Sequence, residues 1–480
     1  MWMLVPLSKL RSRSFQSTAP LATNEPRYSL ASTHSSRSYL PTNKPSEARF
    51  SLRAMRNTSD SLIPINSLPI EILSTILILV VQKGKNEICN LTLVCKLWRR
   101  ITLQTPGCWS QIELPVGPDD YLAYSRVDLW AKRAQSHPLS LSIWERPHPL
   151  EKFNYGEEDI DYAADCLVSL LPRVHTVEFQ SDGMEMDELV PEILGYWVQR
   201  GSAGIAKTLK IHIRLERNTV HLSINHGSIG RYGPTLDYYK TFFGSLQTLV
   251  LENAKLDWRL GFYSGLVDLY LGPVRQFNPY TQWDIAAILE GSPKLRSLAF
   301  VDVEIEIDQN DPRVPSAIAL NNLGLLRLES KESRQNLWVA LQMIASTSDS
   351  IRLSLTFEDH PEFFPAVHSF LERHKVAAVY ITSSHFEICP SVSSSFVRMP
   401  HLEYLAIQRW SVFCESRRDA PTCADFWPKL DNLCLINCDF DLEDLQLLLS
   451  IRALQKLWIQ EPEWDASVRE REKRRRAGME

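Results

Sequence analysis

The feature that most constrains the fold is an apolar pattern, apolar-x-x-apolar-x-apolar, that recurs along the chain. Alternating apolar residues at this spacing are typical of short strands with one buried face. From Leu246 onward the starts of the pattern lie 20 to 29 residues apart, except for one interval of 53 residues after Leu323. Residues 353–355, Leu-Ser-Leu, lie near the middle of that interval and supply the missing strand. The pattern begins at Val174, Leu246, Leu266, Leu295, Leu323, Val376, Leu402, Leu430 and Leu454.

These intervals are those of leucine-rich repeats, in which each unit contributes one short strand and a returning helix or loop, and stacked units close the core. The pattern therefore predicts an α/β fold whose main part, residues 115–466, is a leucine-rich-repeat-like solenoid. Asn253 and Cys438 follow strands near the position where such repeats carry Asn or Cys, and we expect both to bond the backbone of the turn. Helical returns between strands are predicted at residues 283–290, 336–345, 362–374 and 442–450.

Residues 115–240 follow the pattern less regularly. Residues 139–143 and 209–213 alternate as strands should, but the strands here lie roughly 30 to 40 residues apart, beyond the usual repeat length. We interpret them as early repeats with insertions, preceded by a helix at residues 128–136.

A second constraint comes from residues 65–114, which are apolar on too many sides to stand alone. Their spacing predicts two or three short helices. Ser67 is suited to cap a first helix that begins near Leu68, with Pro69 in its first turn. The sequence Lys-Gly-Lys at residues 83–85 ends the apolar run.

The second predicted helix covers residues 87–103, and Asn86 can cap it. Most of its apolar residues lie on one stripe, but Leu93 and Leu97 lie off that stripe. A module of roughly 45 residues is near the lower limit for building its own core, so apolar groups on several faces imply that something else covers them. Either another protein or the following domain could do so.

The same stretch resembles the F-box, especially the form common in fungal proteins. The similarity lies in LPxEIL at residues 68–73, in VCKxWR at residues 94–99, and in Pro106 and Trp109 before a short strand. With the repeats behind it, the chain resembles a fungal F-box protein with C-terminal irregular leucine-rich repeats, its F-box at residues 61–114. The resemblance implies docking to the Skp-type adaptor of a ubiquitin ligase and, through it, to a cullin. The contacts that it implies are Leu68, Pro69, Ile72, Leu73, Ile76, Val94, Cys95 and Trp98.

The two ends of the chain differ in composition from the rest. Residues 1–60 are rich in Ser, Thr, Pro and Arg and poor in acidic residues, so we expect a disordered arm. The same composition is typical of a mitochondrial transit peptide, which would conflict with the cytoplasmic or nuclear location expected of a ubiquitin ligase subunit. The charged run at residues 467–480 is a solvated helix end or, alternatively, a nuclear signal.

The composition argues against several classes of function. A formal net charge of −5 gives no global case for nucleic acid or an anionic membrane as the main partner. The 9 cysteines show no paired CxxC spacing, so a disulfide framework or a zinc module is not expected. Cys434 and Cys438, with Cys414 and Cys423 upstream, would bind a metal only if they converged, and we predict no metal site. The longest apolar run, residues 76–81, is far shorter than the ~20 residues that cross a bilayer.

No catalytic constellation emerges from the sequence. It contains no GxGxxG, GxxxxGK[ST], HExxH or GxSxG motif. His360, His368 and His374 lie near Asp359 and Glu362, but His368 and His374 are six residues apart, which does not place them on one face of a helix. We therefore predict no enzyme activity and no cofactor.

Strand residues between the repeat leucines should point outward on the concave face, where solenoids bind ligands. Three hypotheses follow for the whole chain. The first is a non-catalytic substrate receptor of a ubiquitin ligase, and the second is a leucine-rich-repeat scaffold whose F-box-like helices recruit no ligase. The third is an undetected hydrolase or transferase. Because aromatic and Arg side chains carry most interface energy, the predicted target-binding residues are Tyr270, Arg327, Tyr404 and Trp458.

Overall fold

The described residues belong to one compact unit, residues 59–480. The predicted arm at residues 1–60, the predicted return at 442–450, the run at 467–480 and Asn86 lie outside the described residues. Among the helices described, none combines the length and the apolar composition needed to cross a membrane. A computed structural model of the chain describes residues 64–84, 87–116, 121–145, 166–181, 186–213, 220–222, 236–256, 258, 261, 263–274, 279–308, 313, 315–330, 336–357, 363–383, 399–409, 427–438 and 454–460.

The described chain begins with a helical part, which is bounded by two 3-10 turns. Its elements are the turn Pro64–Ser67, α1 (Ile70–Lys83), α2 (Glu87–Val94), α3 (Lys96–Gln104) and the turn Pro106–Trp109.

Two details of the predicted helices are wrong. Ser67 belongs to the 3-10 turn and Pro69 occupies the N-cap position of α1, so the helix begins at Ile70, slightly later than predicted. The predicted second helix is broken at Cys95, whose backbone is extended with φ −156° and ψ 172°. The Cys95 Sγ accepts a hydrogen bond from the Trp98 amide at 3.5 Å. This residue therefore caps α3, which separates α3 from α2.

The remaining elements alternate between strands and helices. The further helices are α4 (Tyr121–Arg133), the 3-10 turn Leu171–Arg173, α5 (Met186–Arg200), α6 (Leu236–Gly244), α7 (Gln282–Gly291), α8 (Trp338–Met343) and α9 (Phe363–Arg373). The strands are β1 (Gln111–Val116), β2 (Leu139–Glu145), β3 (Val174–Ser181), β4 (Thr208–Ile213), β5 (Val220–Leu222), β6 (Thr248–Glu252), β7 (Ala254–Leu256), β8 (Asp268–Leu271), β9 (Tyr280–Thr281), β10 (Ser297–Val301), β11 (Ile305–Glu306), β12 (Ile318–Ala319), β13 (Leu325–Glu329), β14 (Ile344–Ala345), β15 (Ile351–Phe357), β16 (Val376–Ser383), β17 (Tyr404–Gln408), β18 (Asn432–Ile436) and β19 (Lys456–Gln460).

One 13-stranded parallel sheet organises most of these strands, which lie side by side in chain order. The shorter strands pair in three small parallel ladders, β5 with β7, β9 with β11 and β12 with β14. Every predicted strand is present in the large sheet, including β15 at the position of the missing repeat. The order of the large sheet is β1-β2-β3-β4-β6-β8-β10-β13-β15-β16-β17-β18-β19.

The repeated leucines lie in register across the sheet. Leu249 of β6 is aligned with Leu269 of β8, and Leu298 of β10 is aligned with Leu326 of β13. These side chains are buried in one continuous apolar cluster that extends from the helical part to β18. One face of the sheet is therefore core, and the residues between the leucines line the opposite, outward face.

The predicted returns at residues 283–290, 336–345 and 362–374 overlap with α7, α8 and α9, although residues 344–345 form β14 and residue 362 lies outside the described residues. A capping box starts α7, since Thr281 Oγ1 accepts from the Asp284 amide and the Asp284 carboxylate accepts from the Thr281 amide. The helix predicted before β2 at residues 128–136 is α4, which starts and ends earlier. Helices α5 and α6 are not predicted by the sequence pattern.

Several strands of the large sheet end at a residue with a left-handed backbone. Asn253, Asp302, Arg409 and Asn437 directly follow β6, β10, β17 and β18, and their φ angles are 54°, 53°, 55° and 54°. Asn and Asp tolerate this conformation better than most residues, whereas a long side chain such as Arg is less common there. The amide of Arg409 donates to the Ile436 carbonyl at 2.9 Å, so the turn extends the hydrogen bonding between β17 and β18.

The two turn residues predicted to bond the backbone do so. Asn253 donates its side-chain Nδ2 to the Ile213 carbonyl at the end of β4. Cys438 donates its thiol to the Ile407 carbonyl of β17, with a distance of 3.3 Å between Sγ and the oxygen. The structural interpretation of these residues is confirmed.

Candidate functional site

Helix α1 has two apolar stripes. Leu73, Leu77 and Val81 recur at helical spacing and are buried in the core. Ile72 and Leu79, on the other side, are 51% and 52% exposed. A single apolar stripe is enough to hold a helix against a core, so the second stripe is an apolar surface that the described domain leaves uncovered.

The end of α2 also leaves apolar side chains exposed. Leu93 is 78% exposed and Val94 is 60% exposed, whereas Ile88 and Leu91 of the same helix are buried. The helix ends at Val94 because the next residue, Cys95, leaves the helical conformation. This break leaves two large aliphatic side chains side by side in solvent.

Trp98 holds the start of α3 against the entry to α1. Its indole Nε1 donates to the Asn66 Oδ1 at 2.8 Å, and its backbone amide donates to the Cys95 Sγ. The side chain is half-buried and packs against the core. Its position therefore fixes the two segments that carry the exposed apolar residues.

The helical part is anchored in the sheet domain through Trp109. The Trp109 Nε1 donates to the Thr102 carbonyl at 2.9 Å, and the Arg133 guanidinium lies 4.3 Å from the centroid of the Trp109 ring. Directly after it, β1 pairs in parallel with β2. Cys108 is fully buried, and burial raises the pKa of its thiol to about 11, so it packs as a small neutral apolar residue.

The residues implied by the F-box resemblance fall into three groups. Leu68, Pro69, Ile72 and Val94 are exposed, whereas Ile76, Cys95 and Trp98 are partly buried. Leu73 is 1% exposed, so in this conformation it supports the apolar surface from within instead of forming part of it. Helical spacing from Ile72 could have identified Leu79, and the off-stripe position of Leu93 already suggested its exposure. We define the docking face as Leu68, Ile70, Ile72, Ile76, Leu79, Leu93 and Val94.

A second candidate surface is the outward face of the large sheet. The predicted residues Tyr270, Arg327 and Trp458 lie in one row across the strands, and Tyr404 lies in the neighbouring row on β17. We name this row the central row. It consists of Glu113, Ser142, Glu178, Lys210, Val250, Tyr270, Ala299, Arg327, Ser354, Tyr380, Ala406, Cys434 and Trp458.

Charged groups in the first part of this face pair with one another. The Arg327 guanidinium binds the Glu329 carboxylate through two hydrogen bonds of 2.6 Å. Lys210 lies 3.6 Å from Glu178 on the neighbouring strand. Burial, and then the nearby Glu252 carboxylate, raise the pKa of Tyr270, which is therefore neutral.

A similar pairing joins β4 to β6, where His212 Nδ1 lies 3.0 Å from the Glu252 carboxylate.

Aromatic residues dominate the last part of the face. The rings of Tyr380 and Tyr404 lie 5.1 Å apart between centroids, with their planes at 36°. Trp458 on β19 is 66% exposed. Burial raises the pKa of Tyr404 to about 12 and also raises the pKa of the Cys434 thiol, so both groups are uncharged at neutral pH.

The histidines noted in the sequence lie only partly within the described residues. His374 is buried, its Nδ1 lies 2.8 Å from the Phe370 carbonyl, and its ring stacks on Phe370 at 4.2 Å. Asp359, His360 and Glu362 lie outside the described residues. Within the described ranges, no group of three or more His, Cys, Asp or Glu residues could hold a metal ion.

The helical part is similar to a known family. Residues 65–114 match the F-box-like family model, and these residues coincide with the helical part and β1 up to Leu114. F-box domains generally bind Skp-type adaptors. No curated protein matches the chain. The match covers the docking face and supports an F-box protein.

Proposed function

We propose that the chain is the substrate-recognition subunit of an SCF-type ubiquitin ligase, that is, a Skp-cullin-F-box ligase. The observation that carries the proposal is the docking face, whose aliphatic side chains stay exposed on helices that match the F-box-like family. A folded domain that leaves several large aliphatic side chains exposed on its helices is typical of a protein with a binding partner. The partner proposed is the Skp-type adaptor, which brings the cullin.

The second part of the proposal concerns the sheet domain. Its parallel strands follow one another in chain order, and from β6 onward they have the spacing of leucine-rich repeats, which supports a solenoid of irregular repeats like those of fungal F-box proteins. The outward face of this sheet would then present a target protein to the ligase. We propose no catalytic role for the chain, because ubiquitin transfer would belong to other subunits of the complex. The proposed location is the cytoplasm or the nucleus, where the ligase would act.

Co-expression with a Skp-type adaptor tests the proposal. The wild-type chain should co-purify with the adaptor, and the double variant Ile72→Glu/Val94→Glu should not, because it places two carboxylates in the docking face. Both side chains are more than half exposed, so the variant should keep its fold. Leu129→Glu on α4 is the matched control, since Leu129 is 45% exposed and lies outside the docking face. A wild-type chain that never captures the adaptor contradicts the proposal.

The alternative is a non-catalytic repeat scaffold that recruits no ligase. One observation favours it: the helical part shares a continuous core with the sheet, so it could serve as the N-terminal cap of the repeats. A cap of this kind needs its buried stripe but not its exposed one. The scaffold hypothesis therefore predicts that Ile72→Glu/Val94→Glu changes no interaction of the chain.

A further inference from the structure

The charge of the outward face changes from the first strands of the sheet to the last. In the part from β3 to β13, the central row contains Glu178, Lys210 and Arg327. Two of these side chains pair with each other, and Arg327 is held by Glu329. A charged partner would have to compete with these ion pairs and pay for desolvation of the charges.

From β15 to β19 the central row and the row that follows it carry no charge. We define these positions as the neutral patch. Their side chains are aromatic, apolar or uncharged hydrogen-bonding groups. The neutral patch consists of Ser354, Thr356, Tyr380, Thr382, Ala406, Gln408, Cys434, Ile436, Trp458 and Gln460.

Aromatic side chains lie in the neutral patch and beside it. Tyr380 of the neutral patch meets Tyr404 of the neighbouring row, with ring centroids 5.1 Å apart. Trp458 is 66% exposed two strands further on. Exposed aromatic side chains of this kind carry much of the energy of protein interfaces.

The charges nearest to the neutral patch lie at its margin. Arg352 and Lys456 lie in the row that also contains Tyr404, and Glu403 and Asp431 directly precede that row. Arg409 directly follows Gln408, and Arg327, which binds Glu329, is aligned with Ser354. Charges of both signs therefore surround the neutral patch. Rim charges of this kind influence association rates more than affinity.

We infer that the neutral patch holds the target protein, and that it binds an uncharged segment with an aromatic or aliphatic anchor, so recognition requires no phosphate. Charge complementarity determines which segments can bind. A charged side chain of the partner would lose its hydration on the neutral patch without gaining an ion pair, so the buried side chain must be uncharged. This inference rests on the proposed function, which assigns target binding to the outward face.

Selection of a random 12-residue peptide display library on the full-length chain tests the inference. The selected peptides should contain an aromatic or aliphatic anchor within an uncharged stretch. Synthetic copies should bind the wild-type chain, and Trp458→Ala should weaken them by about tenfold or more. Tyr380→Ala, a second variant in the neutral patch, should weaken them in the same direction. Trp283→Ala is the matched control, since it removes an exposed tryptophan from α7 and should leave affinity unchanged.

Phosphoserine or Glu placed beside the anchor should weaken binding by about threefold or more. The inference is overturned if no selected peptide depends on Trp458, or if the selected peptides are acidic and depend on Arg327 instead. Capture of the adaptor separates a failure of this inference from a failure of the proposed function, because the Trp458→Ala variant should still co-purify with the adaptor. If the chain captures the adaptor but no selected peptide depends on the neutral patch, only the inference about the patch is contradicted. If peptides depend on the neutral patch but the chain does not capture the adaptor, only the ligase role is contradicted.

Discussion

The indole rings of Trp109 and Trp130 meet edge to face, with their centroids 5.8 Å apart and their planes at 78°. Trp109 closes the helical part and Trp130 lies on α4, between β1 and β2 in the chain. Both side chains are buried. This pair therefore joins the helices that carry the docking face to the sheet domain, and the two parts share one core.

Trp109→Ala should destabilise the whole described unit and not the helices alone. The variant loses a buried aromatic side chain, its hydrogen bond to the Thr102 carbonyl and its contact with Arg133, and substitutions of this kind cost about 3 to 5 kcal/mol. Thermal unfolding followed by circular dichroism measures the effect. Trp283→Ala, which removes a partly exposed tryptophan, should cost less than about 1 kcal/mol. Equal midpoints for the two variants would show that the pair does not couple the parts.

Neighbouring residues of α1 should separate stability from adaptor binding. Leu73→Ala removes a buried side chain and should cost about 2 to 5 kcal/mol of unfolding free energy. Ile72→Ala removes an exposed side chain, and should cost less than about 1 kcal/mol while it weakens adaptor binding. Unfolding and adaptor titration of the two variants provide the measurements. The described arrangement is contradicted if Ile72→Ala unfolds the protein and Leu73→Ala does not.

Arg409 offers a test of the left-handed turn after β17. Its φ of 55° is strained for a residue with a Cβ atom, so Arg409→Gly should stabilise the protein by about 0.5 to 1 kcal/mol. Arg409→Val should destabilise it, because a β-branched residue tolerates this conformation poorly. Chemical denaturation of the three proteins gives the order. A glycine variant less stable than wild type would mean that the turn is not left-handed in solution.

His374 should contribute to the pH dependence of stability. Burial lowers the pKa of this imidazole in the folded chain, an effect that the hydrogen bond to the Phe370 carbonyl opposes in part. The unfolded chain, with an ordinary His pKa of about 6.5, binds the proton more readily, so stability is lost as the pH falls through and below that value.

His374→Gln should remove this component of the pH dependence. Unfolding midpoints of wild type and variant, compared at about pH 7.5 and pH 5.5, give the measurement. The wild-type midpoint should fall more on acidification than that of the variant. Parallel changes in both proteins would contradict the assignment to His374.

The strands were predictable because their signal is local and repeated. An apolar residue at every second position fixes which face is buried, and in-register leucines such as Leu249 and Leu269 then follow from stacking. The turn bonds of Asn253 and Cys438 were predictable from their position after a strand. The break at Cys95 was not, because the stripe around it is continuous in sequence and cysteine is not among the residues that usually cap a helix.

The candidate site was predictable in part. The motif spacing identified helices that carry exposed aliphatic side chains, but it could not tell that Leu73 points into the core while Ile72 is exposed, because that depends on how α1 packs in the fold. The predicted target-binding residues are spread over the outward face. Arg327 is engaged by Glu329, an interaction between residues two apart on a strand that the sequence does not reveal.

Calorimetric titration of a purified Skp-type adaptor into the full-length chain tests the central claim most directly. The account predicts saturable binding to wild type and to Leu129→Glu, and a loss of affinity of about a hundredfold or more for Ile72→Glu/Val94→Glu. It also predicts equal unfolding midpoints for the two variants. If wild type shows no binding, or if Leu129→Glu loses as much affinity as the double variant, the docking face is not the adaptor site.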